Sequence, residues 1–225
     1  MKYIFLVLIS LIGLNIKAQS PQNLQSWLIY FGTTQVKQSK FSIHHEVQLR
    51  DHQLFGDHNQ SLIRVGGQYR FRPYFQATVG YGFIHSESKD TPNTPFDEHR
   101  IYQEALFSHD LSIVKVRHRL RLEERFIADQ DFRGRFRYSF FADIPLTAKG
   151  MIKQGWYLSL YDEVFINLSD DKQLKAFDRN RAYGGLGYKL NDHLGVQLGY
   201  MRQHVGTAEG TNHLLLSFHH KMTWK

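Results

Sequence analysis

A chain of 225 residues fits one domain, including a single closed barrel, and the absence of cysteine excludes disulfides, thiolate metal sites and a cysteine nucleophile. The 28 Lys+Arg against 21 Asp+Glu leave a formal charge of +7, yet the cations recur on alternate residues of several segments instead of crowding one solvent face, which argues against a nucleic-acid module. Aromatics reach 14%, and the mean hydropathy of −0.43 suits a transmembrane barrel, in which only every second strand residue meets lipid.

In chain order, the first element is a targeting signal. Lys2 precedes an apolar run from Tyr3 to Leu14, and Asn15-Ile16-Lys17-Ala18 leads into polar Gln19-Ser20. A basic start, a short apolar run and a small residue at the cut make a secretory signal peptide. Cleavage is expected after Ala18, giving a signal peptide over 1–18 and a barrel domain over 19–225. The run is too short for a bilayer-spanning helix of about 20 residues. No cysteine follows it, so a lipoprotein anchor is excluded.

From there the chain alternates with period two, and no segment has a convincing helical pattern. Side chains of a strand point alternately to opposite faces. Ser42, His44, Glu46, Gln48 and Arg50 share one face, opposed by Phe41, Ile43, His45, Val47 and Leu49. Arg64, Gln68 and Arg70 oppose Ile63, Val65, Tyr69 and Phe71. Phe75, Ala77, Val79, Tyr81 and Phe83 form an apolar stripe, and Glu98, Arg100 and Glu104 a charged one. The clearest strand runs from Val114 to Phe126: Lys115, Arg117, Arg119, Arg121, Glu123 and Arg125 share a face, against the largely apolar Val114, Val116, His118, Leu120, Leu122, Glu124 and Phe126. Next, Arg133, Arg135, Arg137, Ser139 and Asp143 oppose Phe136, Tyr138, Phe140 and Ala142. Glu163, Arg179 and Arg181 continue the charged set. Leu194, Val196, Leu198 and Tyr200, then Leu214, Leu216, Phe218, His220, Met222 and Trp224, close the apolar one.

Several segments reach eleven residues or more. A soluble strand has typically about 5–6 residues, whereas a tilted strand crossing a bilayer needs about 9–11. A spanning sheet must also close, because lipid leaves no partner for an open edge. The expected fold is therefore an all-β, closed antiparallel transmembrane barrel of 10–12 strands with a polar, arginine-rich lumen. The segments number about eleven. Single-chain bacterial barrels normally have an even count, so ten or twelve is expected, the number of segments favouring twelve. Short turns are predicted at Arg72-Pro73, around His109-Asp110 and at Asn191-Asp192-His193. Longer loops are predicted at Asp51–Asn59, Ser86–Asp97, Ala128–Phe132, Ser169–Phe177 and Gly206–Thr211.

A charge facing lipid at the midplane of a barrel costs about 2–4 kcal/mol. The guanidinium face must therefore point inward and the Phe/Val/Leu face outward; a lipocalin-like soluble barrel would invert this. The predicted lumen-lining network is Glu46, Arg50, Arg64, Arg70, Glu98, Arg100, Glu104, Arg117, Arg119, Arg121, Glu123, Arg125, Arg133, Arg135, Arg137, Glu163, Arg179 and Arg181. In so narrow a cylinder these side chains should pair and fill the width, as an electrostatic plug. A narrow anion-preferring passage is the functional variant.

The order and spacing of several motifs resemble a bacterial family known as domain of unknown function 2490. They are Trp27-x-x-Tyr30, Glu46-x-Gln48-x-Arg50, Gly80-Tyr81, Glu98-x-Arg100-x-x-Gln103, His118-Arg119-x-Arg121-x-Glu123-x-Arg125, Arg133-x-Arg135-x-Arg137-Tyr138, Asp162-Glu163-x-Phe165-x-Asn167, Arg179-Asn180-Arg181 and Gly199-Tyr200-Met201. The resemblance implies a β-barrel in the outer membrane of Bacteroidetes-like bacteria, and no activity.

Among chemistries, Ser217 and His219 are the best nucleophile–base pair, with His213 on the same face. Their spacing along a strand is about 7 Å, so direct contact is not expected, and the Gly-x-Ser-x-Gly signature is absent. The adjacent pairs His44-His45 and His219-His220 should face opposite ways and not chelate together. Asp170-Asp171 and Asp129-x-Asp131 read as solvated loop charge. Gly184-Gly185-x-Gly187 lies in a strand pattern and marks close backbone approach, not a nucleotide site. No catalytic residue, metal or cofactor is assigned. The sequence reading is a non-catalytic outer-membrane barrel with an ion-paired basic lumen, a narrow channel or structural envelope protein. A lipid-hydrolysing barrel and a soluble periplasmic ligand-binding barrel are the rivals. The expected partners are outer-membrane lipid and, through the terminal Trp224, the barrel-assembly machinery, with no nucleic acid and the small-molecule ligand open.

Overall fold

The computed structural model describes residues 24–89, 92–146, 154–169, 175–206 and 208–224. The expected signal peptide, its cut after Ala18 and Asp170-Asp171 lie outside them. The described residues hold no helix and eleven strands. These are β1 (Leu24–Val36), β2 (Phe41–Gln53), β3 (Gly56–Arg72), β4 (Phe75–Ser86), β5 (Phe96–Leu111), β6 (Val114–Ile127), β7 (Arg133–Pro145), β8 (Gly155–Asn167), β9 (Phe177–Lys189), β10 (Leu194–Val205) and β11 (Thr211–Trp224). Each pairs with its neighbours in sequence, and β1 pairs with β11 to close a barrel.

The closing pair corrects the expectation of an even count. β1 and β11 run parallel, in register from Leu24↔Asn212 to Val36↔Trp224. A cylinder closed only by antiparallel pairs needs an even number of strands, because direction must alternate around the ring. One parallel seam removes that condition, and eleven segments are eleven strands. The described chain consequently enters β1 at the opposite end of the barrel from the one at which β11 leaves.

Two turns differ from the reading of the sequence. Asp51–Asn59, expected as a loop, is mostly strand: β2 continues to Gln53 and β3 starts at Gly56. The polar residues that imitated a loop sit on a bulged extension of the hairpin, where the register shifts between Arg50 and Asp51 and both Phe55 and Asp57 have positive φ. The turn expected near His109-Asp110 falls at Ser112-Ile113, with Ser112 in the left-handed region. The connections at 128–132 and 190–193 lie as expected. One end of the barrel thus carries the turns after β1, β3, β5, β7 and β9. The other, called here the loop end, carries those after β2, β4, β6, β8 and β10.

The outer wall is apolar. Val79, Ile63, Leu198, Leu122 and Phe140 are among its exposed side chains, with Val79 at 63% and Ile63 at 58%. Around the turn end runs a ladder of ring contacts, Phe41–Tyr69–Phe71–Phe75–Phe107, and Trp156 packs on Tyr188 farther round. At the loop end Phe126 meets Phe132, and His99 packs between Tyr81 and Phe83.

The interior is filled by side chains. Trp27, Ile29, Tyr183, Met201 and Leu215 form an apolar cluster where β1, β9, β10 and β11 face the axis. Tyrosines lie flat on glycine patches of the inner wall. A Cβ on Gly66 or Gly80 would come within 2.5 Å of the Tyr102 side chain, and one on Gly185 or Gly199 within 2.3 Å of Tyr183. The Gly184-Gly185-x-Gly187 run is explained this way: Gly185 and Gly187 leave room for the Tyr183 and Tyr157 rings.

Candidate functional site in the ion-paired lumen

Placing one arginine on every second residue of neighbouring strands creates an electrostatic problem. Arg121 lies opposite Arg137, and Arg100 opposite Arg125, which in turn opposes Arg133. Like charges directly across a sheet repel. The glutamates resolve it by sitting diagonally among the cations. Glu123 has a fully buried side chain and accepts from Arg135 and Arg137 at 2.6 Å each, with Arg100 at 3.7 Å and Arg121 at 3.8 Å. Glu163 accepts from Arg119 at 2.7 Å, Arg137 at 2.6 Å and Ser139 at 2.8 Å, with Arg181 at 3.6 Å. Glu98 holds Arg100 and Arg125, and Glu104 holds Arg121. The network runs without interruption from β5 to β9. On the other side of the barrel Glu46 accepts from Arg64 at 2.7 Å and from His44 at 3.1 Å, and also from Gln48.

Several guanidiniums also lie over inward aromatic rings: Arg137 over Phe165 at 4.4 Å, Arg121 over Tyr102 at 4.7 Å and Arg119 over Phe141 at 5.1 Å. The sequence reading placed none of these inward rings. Their signal was phase: Tyr102 is in step with Arg100 and Glu104, Phe165 with Glu163, Tyr183 with Arg181. Cation–π contact is stronger where water is excluded, which suits a ring packed inside the lumen.

Not every predicted residue joins the network. Arg70 sits exposed at the turn end of β3, and Arg133 is half-buried at the loop end of β7. Arg117 pairs with Asp143 at 2.7 Å, toward the turn end. Arg179 does join it at the loop rim: its neighbour Asp178 takes Arg179 at 3.0 Å and Arg135 at 3.2 Å. Arg50 stands apart. Its guanidinium donates to the side-chain oxygens of Gln48 and Gln60 and lies 3.9 Å from the centre of the Trp27 ring.

A cavity of about 270 Å³ opens among these groups and runs from mid-barrel to the loop end; ten arginines and three glutamates line it. Phe31, Phe141, Tyr161 and Arg119 form its inner limit. A recess of about 110 Å³ lies against it, sharing Trp27, Arg50, Gln60, Arg179 and Arg181 as a common wall.

The expected separation of Ser217 and His219 is overturned. Ser217 Oγ and His219 Nε2 lie 3.1 Å apart. An i, i+2 spacing measures backbone distance, while an imidazole leaning along the strand reaches back over it. His219 also packs on Phe31, with centroids 5.1 Å apart. His213 is separate: it stands edge-on to Trp27 and bonds Thr211 at 2.9 Å. The adjacent histidines face opposite ways, His44 to Glu46 inside and His45 to Thr34 outside. Among the described residues no three His, Asp or Glu side chains gather as a metal site. Asp129 and Asp131 are exposed in their loop.

No curated protein and no solved structure shows significant similarity to the chain. The profile of one family, described as a protein of unknown function (DUF2490), matches residues 24–213, from the first residue of β1 into β11. The matched span takes in every arginine and glutamate of the lumen, and the chain belongs to the DUF2490 family.

Proposed function

We propose that this chain is a non-catalytic outer-membrane protein whose barrel spans the bilayer and whose waist is closed by side chains, so that it holds solutes at one mouth instead of conducting them. One observation carries this reading: an apolar, ring-bordered outer wall surrounds an inner wall of buried ion pairs. A strand of 13 residues is about 43 Å long at about 3.3 Å per residue. Tilted by about 40°, it rises about 33 Å, enough for the apolar band of about 25 Å that such barrels expose. Aromatic rings border that wall at both ends, the placement favoured at membrane interfaces. Inside, Glu123, Tyr102, Phe165 and Met201 have at most 2% of their surface exposed, which supports a sealed waist over a pore.

Purified protein in planar bilayers should give no conductance steps, and detergent-free fractionation should leave it with the outer membranes. Sustained anion-selective openings would replace the sealed barrel with a channel; a soluble pool would remove the membrane reading.

A second reading, a lipid-hydrolysing barrel, is favoured by the Ser217–His219 hydrogen bond. It predicts hydrolysis that Ser217→Ala abolishes in a folded barrel. Absence of hydrolysis by the wild type ends it. Against it, the pair faces the lumen, with Ser217 buried, and not the lipid.

A further inference from the structure

The arginines of the lumen are not equally satisfied. The network from β5 to β9 gives each of its guanidiniums a carboxylate. Arg50, on β2, has none: among the described residues no carboxylate lies within ion-pair distance of it, and its donors end on the neutral oxygens of Gln48 and Gln60. Arg181 reaches Glu163 only at 3.6 Å and donates its Nε hydrogen to Gln203 at 2.7 Å. Both guanidiniums lie against the same indole, Arg50 at 3.9 Å and Arg181 at 4.9 Å from the ring centre of Trp27. Two like charges are thus held beside one ring, with Arg179 bordering the same recess.

The lining of that recess includes three arginines, four amide side chains and His213, and no carboxylate. Two buried donors around it and the main cavity also have no acceptor, Trp27 Nε1 and Arg64 Nε, and His213 Nδ1 is buried without a hydrogen-bond partner. A buried donor left unpaired costs free energy comparable to a lost hydrogen bond. A group that brings negative oxygens into this corner would relieve both the charge excess and the missing acceptors. At about 110 Å³ the recess holds several molecules the size of water, about 30 Å³ each. The adjoining cavity of about 270 Å³ leaves room for a small group attached to the anion.

We propose that the loop-end recess is a binding site for the phosphate group of a small molecule, held by Arg50, Arg179 and Arg181 beside Trp27. Planar guanidiniums match phosphate oxygens in pairs, and the surrounding amides Asn59, Gln60 and Gln203 can take hydroxyls of the attached group. The inference rests on the lumen geometry and deepens the reading of a barrel that holds solutes at one mouth. It does not depend on where the barrel resides.

The test is calorimetric titration of the full-length barrel in non-ionic detergent with inorganic phosphate, glycerol phosphate and, in mixed micelles, phosphatidic acid. Saturable binding is expected, weakened about tenfold or more by Arg50→Gln, since a charge-assisted contact is lost. Arg70→Gln, exposed at the turn end and far from the recess, should leave it unchanged. Arg50 has no carboxylate to orphan, so its variant should fold, checked by heat-modifiable migration. If it does not fold, Trp27→Phe supplies the same comparison. Binding of glycerol phosphate assigns a soluble ligand; binding of phosphatidic acid alone assigns a lipid headgroup as the source of the same phosphate. No binding of any of the three at about 10 mM, which would reveal even millimolar affinity, overturns the site. Equal affinity of wild type and Arg50→Gln also overturns it. Conductance measurements bear on the sealed waist and leave this outcome independent.

Discussion

Glu123 shows what a single residue does in this lumen. Its carboxylate lies within 4 Å of four guanidiniums and is closed to solvent. Removing one partner of a buried ion pair leaves uncompensated charge, typically at a cost of about 3–5 kcal/mol. Glu123→Gln is therefore expected to destabilise the barrel by about that amount, measured by urea unfolding in detergent. Glu124, the next residue, faces outward and accepts one hydrogen bond from Gln103, so Glu124→Gln should lose no more than about 1 kcal/mol. Equal losses would deny the network a role in stability. At this scale the alternation of Glu123 and Glu124 between faces was legible from period two alone. Which arginines meet Glu123 was not, because those pairings cross β5, β6 and β7 and depend on register.

Among the elements, the seam of β1 and β11 decides the topology. Parallel pairing places Leu28 beside Leu216 and two strands from Leu198. The chain has no cysteine, so a double variant reports cleanly. Leu28→Cys with Leu216→Cys should cross-link on oxidation, because neighbouring strands lie about 4.7–4.9 Å apart, within the Cα range of a disulfide. Leu28→Cys with Leu198→Cys should not. Failure of the first pair, or efficient linking of the second, would show that the barrel closes otherwise. The strands themselves could be read from the sequence, because each carries its own two-residue period. The seam could not, because it joins the first strand to the last and no local pattern records the direction of that pairing. The 51–59 segment misled for a related reason: Asp51, Asp57, His58 and Asn59 have loop composition, but hydrogen bonding to the partner strand keeps them extended.

For the whole molecule, the question is what solvates the outer wall. Leu198 lies near the middle of β10 and is 53% exposed. If lipid covers it, Leu198→Arg should cost about 2–4 kcal/mol in unfolding from bilayers. A barrel exposed to water would tolerate the same change almost without loss, since surface substitutions usually shift stability by about 0.5 kcal/mol or less. The measurement thus tests the spanning reading independently of conductance.

The residue pattern alone was enough to read long strands with a charged face and an apolar face, because the pleat turns every second residue to one side of a sheet, and to expect a barrel, because an apolar face meant for lipid leaves no place for an open edge. It also marked which arginines and glutamates share the charged face. The odd strand number, the contact of Ser217 with His219, the tyrosines seated on glycines and the isolation of Arg50 beside Trp27 became visible in three dimensions alone. Those features arise where strands distant in the chain meet around a common axis, or where a side chain folds back over its own strand, and neither is encoded in periodicity.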